Sequence, residues 1–431
     1  MHVSIVGSGY VGTTVAACLA DLGHEVVNVE IDEGIVETIT AGESPIHEDG
    51  LAERIAEHAG TRLRATTDYG ATAETDLTVF CLPTPQADDG SLDLAIVKAG
   101  AESLGDALAA KDGEHVVVVK STVLPGTTED VVGSILEDRS GKRVGEDLHL
   151  VMNPEFLRMG TAVSDFLEPD KVVVGASSEP GAAALRELYA PILDRPETAL
   201  VETDVREAEL IKYANNAFLA AKVSLVNELG NVAKEYGADA YEVLDAVGLD
   251  DRVSERFLRS GLGWGGSCFP KDVNALRAGA RERGYEPALL DAVVAVNDEQ
   301  PRRLVALLAD HVALDGARIA VLGLSFKPGT DDIRKSRALD VIGELVDRGA
   351  DVVAYDPVAT ANVREEYPDL DVEYADSVAG ALAHADGAVI ATDWPEFDDL
   401  SFADMRRRIV VDGRRIDVDE DELAVYEGLT W

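Results

Sequence analysis

Residues 2–7, HVSIVG, make a short β-prone run that breaks into the glycine turn GSGYVG (7–12). An alanine-rich amphipathic stretch continues to Leu22, and after a Gly-His turn the chain reads EVVNVEID (25–32). Strand, glycine turn, helix and strand within about thirty residues predict the βαβ unit of a doubly wound fold. Apolar runs of buried-strand length recur at LTVFCLP (77–83), HVVVVKST (115–122), LHLVMNP (148–154) and KVVVGA (171–176). Helical patterns separate most of them, so an α/β block is expected over residues 1–200.

The pattern then changes. Asp204, with Glu207 three positions on, is a helix start. From there REAELIKYANNAFLAAKVSLVNELGNVAKEY (206–236) reads as one long helix that stops at Gly237. Its apolar positions cover most of its circumference, which predicts burial between domains or between subunits. Further helical segments and a glycine-rich stretch fill the rest of 201–300. In 301–431 a second βα pattern begins at ARIAVLGLSFKPGTDDIR (317–334), with later strands at ADVVAYDP (350–357), GAVIAT (387–392) and RIVVDGRR (408–415). GLSFKPG lacks the GxGxxG spacing, so this half is expected to be a degenerate nucleotide-binding domain that holds something other than a redox cofactor. The predicted fold class is α/β: two Rossmann-like doubly wound domains joined by a central helical domain with one long helix.

Composition narrows the class. The chain is 46% hydrophobic, with a mean hydropathy near zero, as expected of a water-soluble globular protein. HVSIVGSGYVG breaks into glycines too early for a signal peptide or a membrane span. Three cysteines cannot complete a disulfide framework, which points to a reducing cytoplasm. The outlying property is a net charge of −43, from 81 acidic against 38 basic residues. The acids are scattered, and the densest run, DVDEDEL (417–423), is short. Scattered acid over a normal core predicts a surface adapted to high salt, where self-repulsion is screened. Nucleic acid and anionic membranes are excluded as partners by the same field. The eight histidines are dispersed and there is no CxxC, so no metal site is expected.

Four features carry candidate chemistry. Gly7, Gly9 and Gly12 hold the GxGxxG positions between a strand and a helix, and Glu30 follows Gly12 by 18 residues. That combination fits a dinucleotide, with Glu30 and nearby Asp32 placed for the adenosine ribose hydroxyls. In GLGWGGSCFPKD (261–272) four glycines precede Cys268, and Lys271 lies close enough in sequence to favour a thiolate. The alternative, a small core residue, is the usual fate of a free cysteine. Lys212 and Asn216 share a face of the long helix, either lining a site or, for the lysine, snorkelling to water. CLPTPQ (81–86) and STVLPGTT (121–128) follow apolar strands, where ligands bind in open α/β sheets; turn chemistry accounts for them equally well.

Together GSGYVG (7–12), PTP (83–85), STV (121–123), NPEFL (153–157), ELIKYANNAFLA (209–220), GWGGSCFPKD (263–272), FKPGTDDIR (326–334) and DGRR (412–415) resemble the UDP-glucose/GDP-mannose dehydrogenase family over essentially the whole chain. The family oxidises the sugar of a nucleotide sugar to its uronic acid with NAD. The resemblance implies Cys268 as the nucleophile that forms a thiohemiacetal and then a thioester. It implies Lys212, Asn216 and Asp272 as supports for the alkoxide, the oxyanion and a water. Glu155 is implied in proton handling, and Thr122 in ordering water. Gly7, Gly9, Tyr10, Val11, Gly12, Glu30, Thr84, Thr122 and Arg334 match cofactor contacts. Glu155, Phe156, Leu157, Lys212, Asn216, Phe257, Arg259, Gly265, Lys327 and Arg414 match substrate contacts, and Arg252 matches an arginine that reaches the substrate across a homodimer built on the central helices. UDP-glucose is the implied substrate, with GDP-mannose or another UDP-hexose as alternatives; a non-catalytic nucleotide-sugar binder is the alternative of a different class. One position departs: relatives with EFL-x-E-G carry a second carboxylate where this chain has Met159. Methionine moves no protons, so Glu155 has to act with Asp272 and water alone.

Overall fold

In the computed structural model, which describes residues 1–431 apart from 88 and 399, the first βαβ unit is β1 (His2–Val6), the helix Tyr10–Asp21 and β2 (Glu25–Val29), with the two strands parallel. The sheet is completed by β3 (Leu63–Thr66), β4 (Leu77–Phe80), β5 (His115–Val119), β6 (Leu148–Met152), β7 (Lys171–Ala176) and β8 (Ala199–Thr203). The order is β3-β2-β1-β4-β5-β6-β7-β8, parallel except for the β6–β7 pair. Strand order therefore reverses between β1 and β4, the switch point beside which open α/β sheets bind ligands. Alternate side chains sort to two cores: Val3, Ile5, Val116 and Val118 on one, and Val6, Phe80, Val117 and Val119 on the other.

The chain divides into two compact units, Met1–Asn215 and Asn216–Trp431, with the boundary inside the long helix Val205–Glu235. The second unit holds a sheet of β9 (Arg318–Leu322), β10 (Asp351–Tyr355), β11 (Glu373–Tyr374), β12 (Gly387–Ile390), β13 (Ile409–Asp412) and β14 (Val425–Gly428). Its order, β11-β10-β9-β12-β13-β14, repeats that of the first six strands.

The two halves share a turn and then diverge. Gly7 N donates to Val29 O at 2.9 Å, and Gly323 N donates to Tyr355 O at 2.8 Å. Both glycines take positive φ, 98° and 95°. In the first half a helix follows at once. In the second it starts only at Arg337, and its N-terminus is capped by the side chain of Ser336. The acid after β10, Asp356, is consumed within the fold: it accepts from Leu324 N, Ser325 N, the Ser325 hydroxyl and Trp394 Nε1. No bare helix terminus remains at the second turn, which is the physical content of its degenerate spacing.

The apolar circumference of the long helix resolves into two faces. Val226 and Ala233 pack with Ala240, Leu244 and Leu258 in a small core of the second unit. Phe218, Leu225, Leu229 and Val232 are exposed, Phe218 by 72%. Cys18 and Cys81 are buried, and burial pushes both thiols up to about 12; Cys268 is exposed.

Candidate active site

The glycine turn of the first unit is shaped by three different constraints. Gly7 needs its positive φ, and a Cβ there would lie 2.7 Å from Cys81 O. A Cβ on Gly12 would lie 2.0 Å from Gly7 O, so the helix can close on the turn only with glycine. At Gly9 a Cβ would meet nothing within 4 Å: the space is open. Gly9 caps the helix Tyr10–Asp21 without a side-chain hydrogen bond, and the first turn carries no acid. Bare N–H groups, the positive end of the helix dipole and open space fit a pyrophosphate. Glu30 lies at the end of β2 with Oε2 accepting from Ser8 N at 2.7 Å and Oε1 from Ile31 N at 2.7 Å. The residues present thus fit a dinucleotide whose ribose hydroxyls face a carboxylate. NAD is expected to exceed NADP in kcat/KM by about ten- to a hundredfold, because a 2′-phosphate would meet like charge. Equal values would overturn the assignment of Glu30.

Beyond the switch point, Thr84 Oγ1 donates to Thr122 O at 2.9 Å, joining the two strand-end loops. Glu209, fully buried on the long helix, accepts from Gly126 N at 2.6 Å and Thr128 N at 2.7 Å and so pins the loop after Thr122. After β6, Glu155 meets Lys212: Nζ lies 2.8 Å from Oε1 and donates to the Glu155 carbonyl at 2.7 Å. Burial pushes the Glu155 carboxyl up. The charge and hydrogen bond of Lys212, the Leu157 N–H and the charge of Lys120 outweigh it, and hold the group below its usual value. Lys212 does not snorkel; it is buried. Phe156 lies beneath two ammonium groups, Lys171 at 4.3 Å and Lys212 at 5.5 Å from the ring centre.

In the second unit Asn216 Nδ2 donates to Asp272 Oδ2 at 2.6 Å. Lys271 Nζ takes the other oxygen of Asp272 at 2.7 Å. Two further features offer positive charge to Cys268. Cys268 caps the 14-residue helix Phe269–Glu282 and meets the positive end of its dipole, and Arg334, held by Asp332, has Cys268 among its electrostatic neighbours. Gly266 N donates to Arg334 O at 3.0 Å, and a Cβ on Gly265 would lie 2.1 Å from Lys335 O. The glycines thus let the cysteine loop lie against 334–335. Arg414 is half-buried behind the loop, donating to Ala391 O at 2.8 Å and Gly263 O at 3.4 Å. Arg252, Phe257 and Arg259 stay outside: Arg252 and Arg259 pair with Asp250 and Asp245, and Phe257 is exposed with φ 62°. Lys327 lies over the Phe326 ring at 5.6 Å.

Three family models match in chain order: the NAD binding domain of the UDP-glucose/GDP-mannose dehydrogenase family over residues 1–193, its central domain over 206–299 and its UDP binding domain over 320–418. The chain is 59% identical, over the full length of both proteins, to the UDP-glucose 6-dehydrogenase AglM of Haloferax volcanii. This chain belongs to the UDP-glucose/GDP-mannose dehydrogenase family. A second relative, the UDP-glucose 6-dehydrogenase TuaD of Bacillus subtilis, is 38% identical over 98% of this chain and 91% of its own. The UDP-glucose dehydrogenase structure from the archaeon Pyrobaculum islandicum superposes with a TM-score of 0.93 at 41% identity, covering 100% of this chain and 98% of that one.

Within this dehydrogenase family, buried charged residues that the sequence reading did not name as site residues include Lys120, Glu209 and Glu48. Lys120 is buried beside STV, its Nζ 2.9 Å from Asn153 Oδ1. Glu209 opens ELIKYANNAFLA, and Glu48 lies in HEDG. For Lys120 and Glu209 the available signal was a charge inside or against an apolar run; for Glu48, in a polar stretch, there was none. Among the described residues, one group has metal-ligand geometry: Asp21, Glu57 and His58. Arg54 already bonds Asp21 at 3.1 Å.

Proposed function

We propose that this protein oxidises UDP-glucose to UDP-glucuronic acid, transferring four electrons to two NAD per sugar through a covalent Cys268 adduct. The observation that carries the reading is Cys268 itself, exposed at a helix N-terminus in a glycine loop whose next turn carries Asp272, bonded to Asn216 of the long helix. UDP-glucose is preferred because the relative that is 59% identical over the full length of both proteins is named for it, as is TuaD. The sugar's primary alcohol gives up a proton and a hydride to become an aldehyde, and the Cys268 thiol adds to it as a thiohemiacetal. A second loss of proton and hydride leaves the thioester, which water cleaves to the acid and the free thiol. When bound at the glycine turn, NAD supplies the hydride acceptor. Lys212 and Asn216 support the developing oxyanion, and Asp272 and Glu155 hold and move the proton of the water. The test is NADH formation at 340 nm over UDP-glucose, GDP-mannose, other UDP-hexoses and N-acetylated UDP sugars. Turnover fastest with GDP-mannose would move the assignment within the family, and none with any sugar would leave a binding protein.

We infer a homodimer on the bare face of the long helix, supported by the exposed Phe218, Leu225, Leu229 and Val232. Arg252, its side chain 88% exposed and paired with Asp250, is then offered to the other subunit. Mixing inactive Arg252→Ala subunits with inactive Cys268→Ala subunits should restore part of the activity. No recovery after confirmed exchange would mean each site is built from one chain.

We place the enzyme in a salt-rich, reducing cytoplasm, a reading supported by the −43 charge and the buried thiols of Cys18 and Cys81. Among the described residues no helix is long and apolar enough to cross a membrane. The melting temperature should rise between dilute buffer and molar KCl, as the Debye length falls from about 10 Å at 0.1 M to about 3 Å at 1 M. An unchanged value would remove the salt reading.

A further inference from the structure

Glu48 lies far in sequence from every motif, yet it joins two of them. Glu48 is 6% exposed, and its carboxylate is reached by three donors from two directions. Tyr10, the first residue of the helix after Gly9, donates its phenol O–H to Oε2. From the segment that follows Glu155, Gly160 N donates to the same oxygen at 2.8 Å, and Ala162 N to Oε1 at 2.7 Å. Gly160 N also lies 3.1 Å from the Tyr10 hydroxyl, which closes a triangle. Gly160 has φ 87°, so the backbone there turns in a way that an ordinary residue resists. At the other end of the segment, Leu157 N donates to Glu155 Oε2 at 2.7 Å and Lys212 takes Oε1. Residues 155–162 are thus held at both ends by carboxylates.

This bears on Met159, the neighbour of Gly160. Glu48 brings a carboxylate to that segment, where backbone and phenol donors hold both of its oxygens.

We propose that Glu48 is a positioning residue: through Tyr10 and the Gly160 and Ala162 amides it ties the segment carrying Glu155 to the dinucleotide turn, so that the two move as one piece. The inference rests on the reading of Glu155 as a proton-handling group in thioester hydrolysis. It assigns Glu48 no contact with the reacting atoms. Replacing a carboxylate oxygen by an amide NH₂ at this point sets a donor against donors, so Glu48→Gln releases the segment without removing any group from the chemistry.

The experiment uses full-length Glu48→Gln with UDP-glucose and NAD, and has two arms. Hydrogen exchange of the Gly160 and Ala162 amides needs no turnover, and should speed up by about tenfold or more. Rapid-quench mass spectrometry during turnover should show acylated Cys268 accumulating above the wild-type level, with kcat down about ten- to thirtyfold and KM for UDP-glucose little changed. Unchanged exchange would overturn the clamp, and faster exchange with an unchanged kcat would overturn its role in positioning. A wild type that makes no NADH from any nucleotide sugar would sink the functional reading and the role together, an outcome distinct from either. If Glu48→Gln does not fold, Tyr10→Phe removes one donor and spares both amide bonds. Its kcat should fall about three- to tenfold with the same rise in acyl-enzyme, and a kcat at the wild-type level would overturn the proposal.

Discussion

Cys268→Ser should lose at least about a thousandfold in kcat for uronic acid formation, equivalent to ~4 kcal/mol in the barrier. A serine hydroxyl is far less acidic than a thiol, so the helix N-terminus that faces residue 268 cannot make it a comparable nucleophile. The ester it would form also hydrolyses reluctantly. The first oxidation does not formally need the thiol, so a small stoichiometric burst of NADH should survive while net turnover stops. A slow acyl-enzyme on the introduced hydroxyl, seen after quenching, would support the mechanism. Near-normal kcat in this variant would remove Cys268 as the nucleophile and leave the glycine loop without its explanation.

Lys212→Met should be the most disruptive change in the first unit. The Lys212–Glu155 pair is buried on both sides, with side-chain exposures of 5% and 10%. Removing the cation strands a buried carboxylate, at a cost of about 3–5 kcal/mol in stability. Activity should fall about a hundred- to a thousandfold with the loss of a preorganised charge. The pH dependence fixes the cause. In the wild type Glu155 lies below its usual value, so its contribution is present above the unfolded value and is lost as pH falls through the folded one. In the variant burial is no longer outweighed by Lys212, and the folded value rises above the unfolded one. Its contribution then reverses and is lost as pH rises. The gap in melting temperature between wild type and variant should therefore be widest near pH 8 and narrow toward about pH 4. A gap of equal size at both ends would show that the lysine's charge is not what holds Glu155.

The parts of the fold that the sequence made legible are those where apolar periodicity runs unbroken. Val116–Val119 and Ile319–Leu322 are buried on both faces and read as continuous runs. The strands β3, β8, β11 and β14 were not read. β8 lies at an edge with most of its side chains exposed, β11 has two residues, and LRAT and VYEG contain no apolar run to find. The reversal of β7 against β6 was also invisible, because strand direction leaves no mark on hydropathy. At the site, GxGxxG and the cysteine loop were legible since backbone geometry demands glycine at fixed spacing. The Lys212–Glu155 and Asn216–Asp272 pairs were not: their partners lie 57 and 56 positions apart, and only the fold brings them together. Lys271 was noted for its sequence proximity to Cys268, but its hydrogen bond to Asp272, the next residue, was not read.

The central claim is that the aldehyde never leaves the enzyme because Cys268 holds it until the second oxidation. Counting NADH against UDP-glucose consumed in steady turnover, with hydroxylamine present to trap any aldehyde, tests it most directly. The account predicts two NADH per sugar and no trapped aldehyde. One NADH per sugar, or an oxime accumulating in step with turnover, would contradict it.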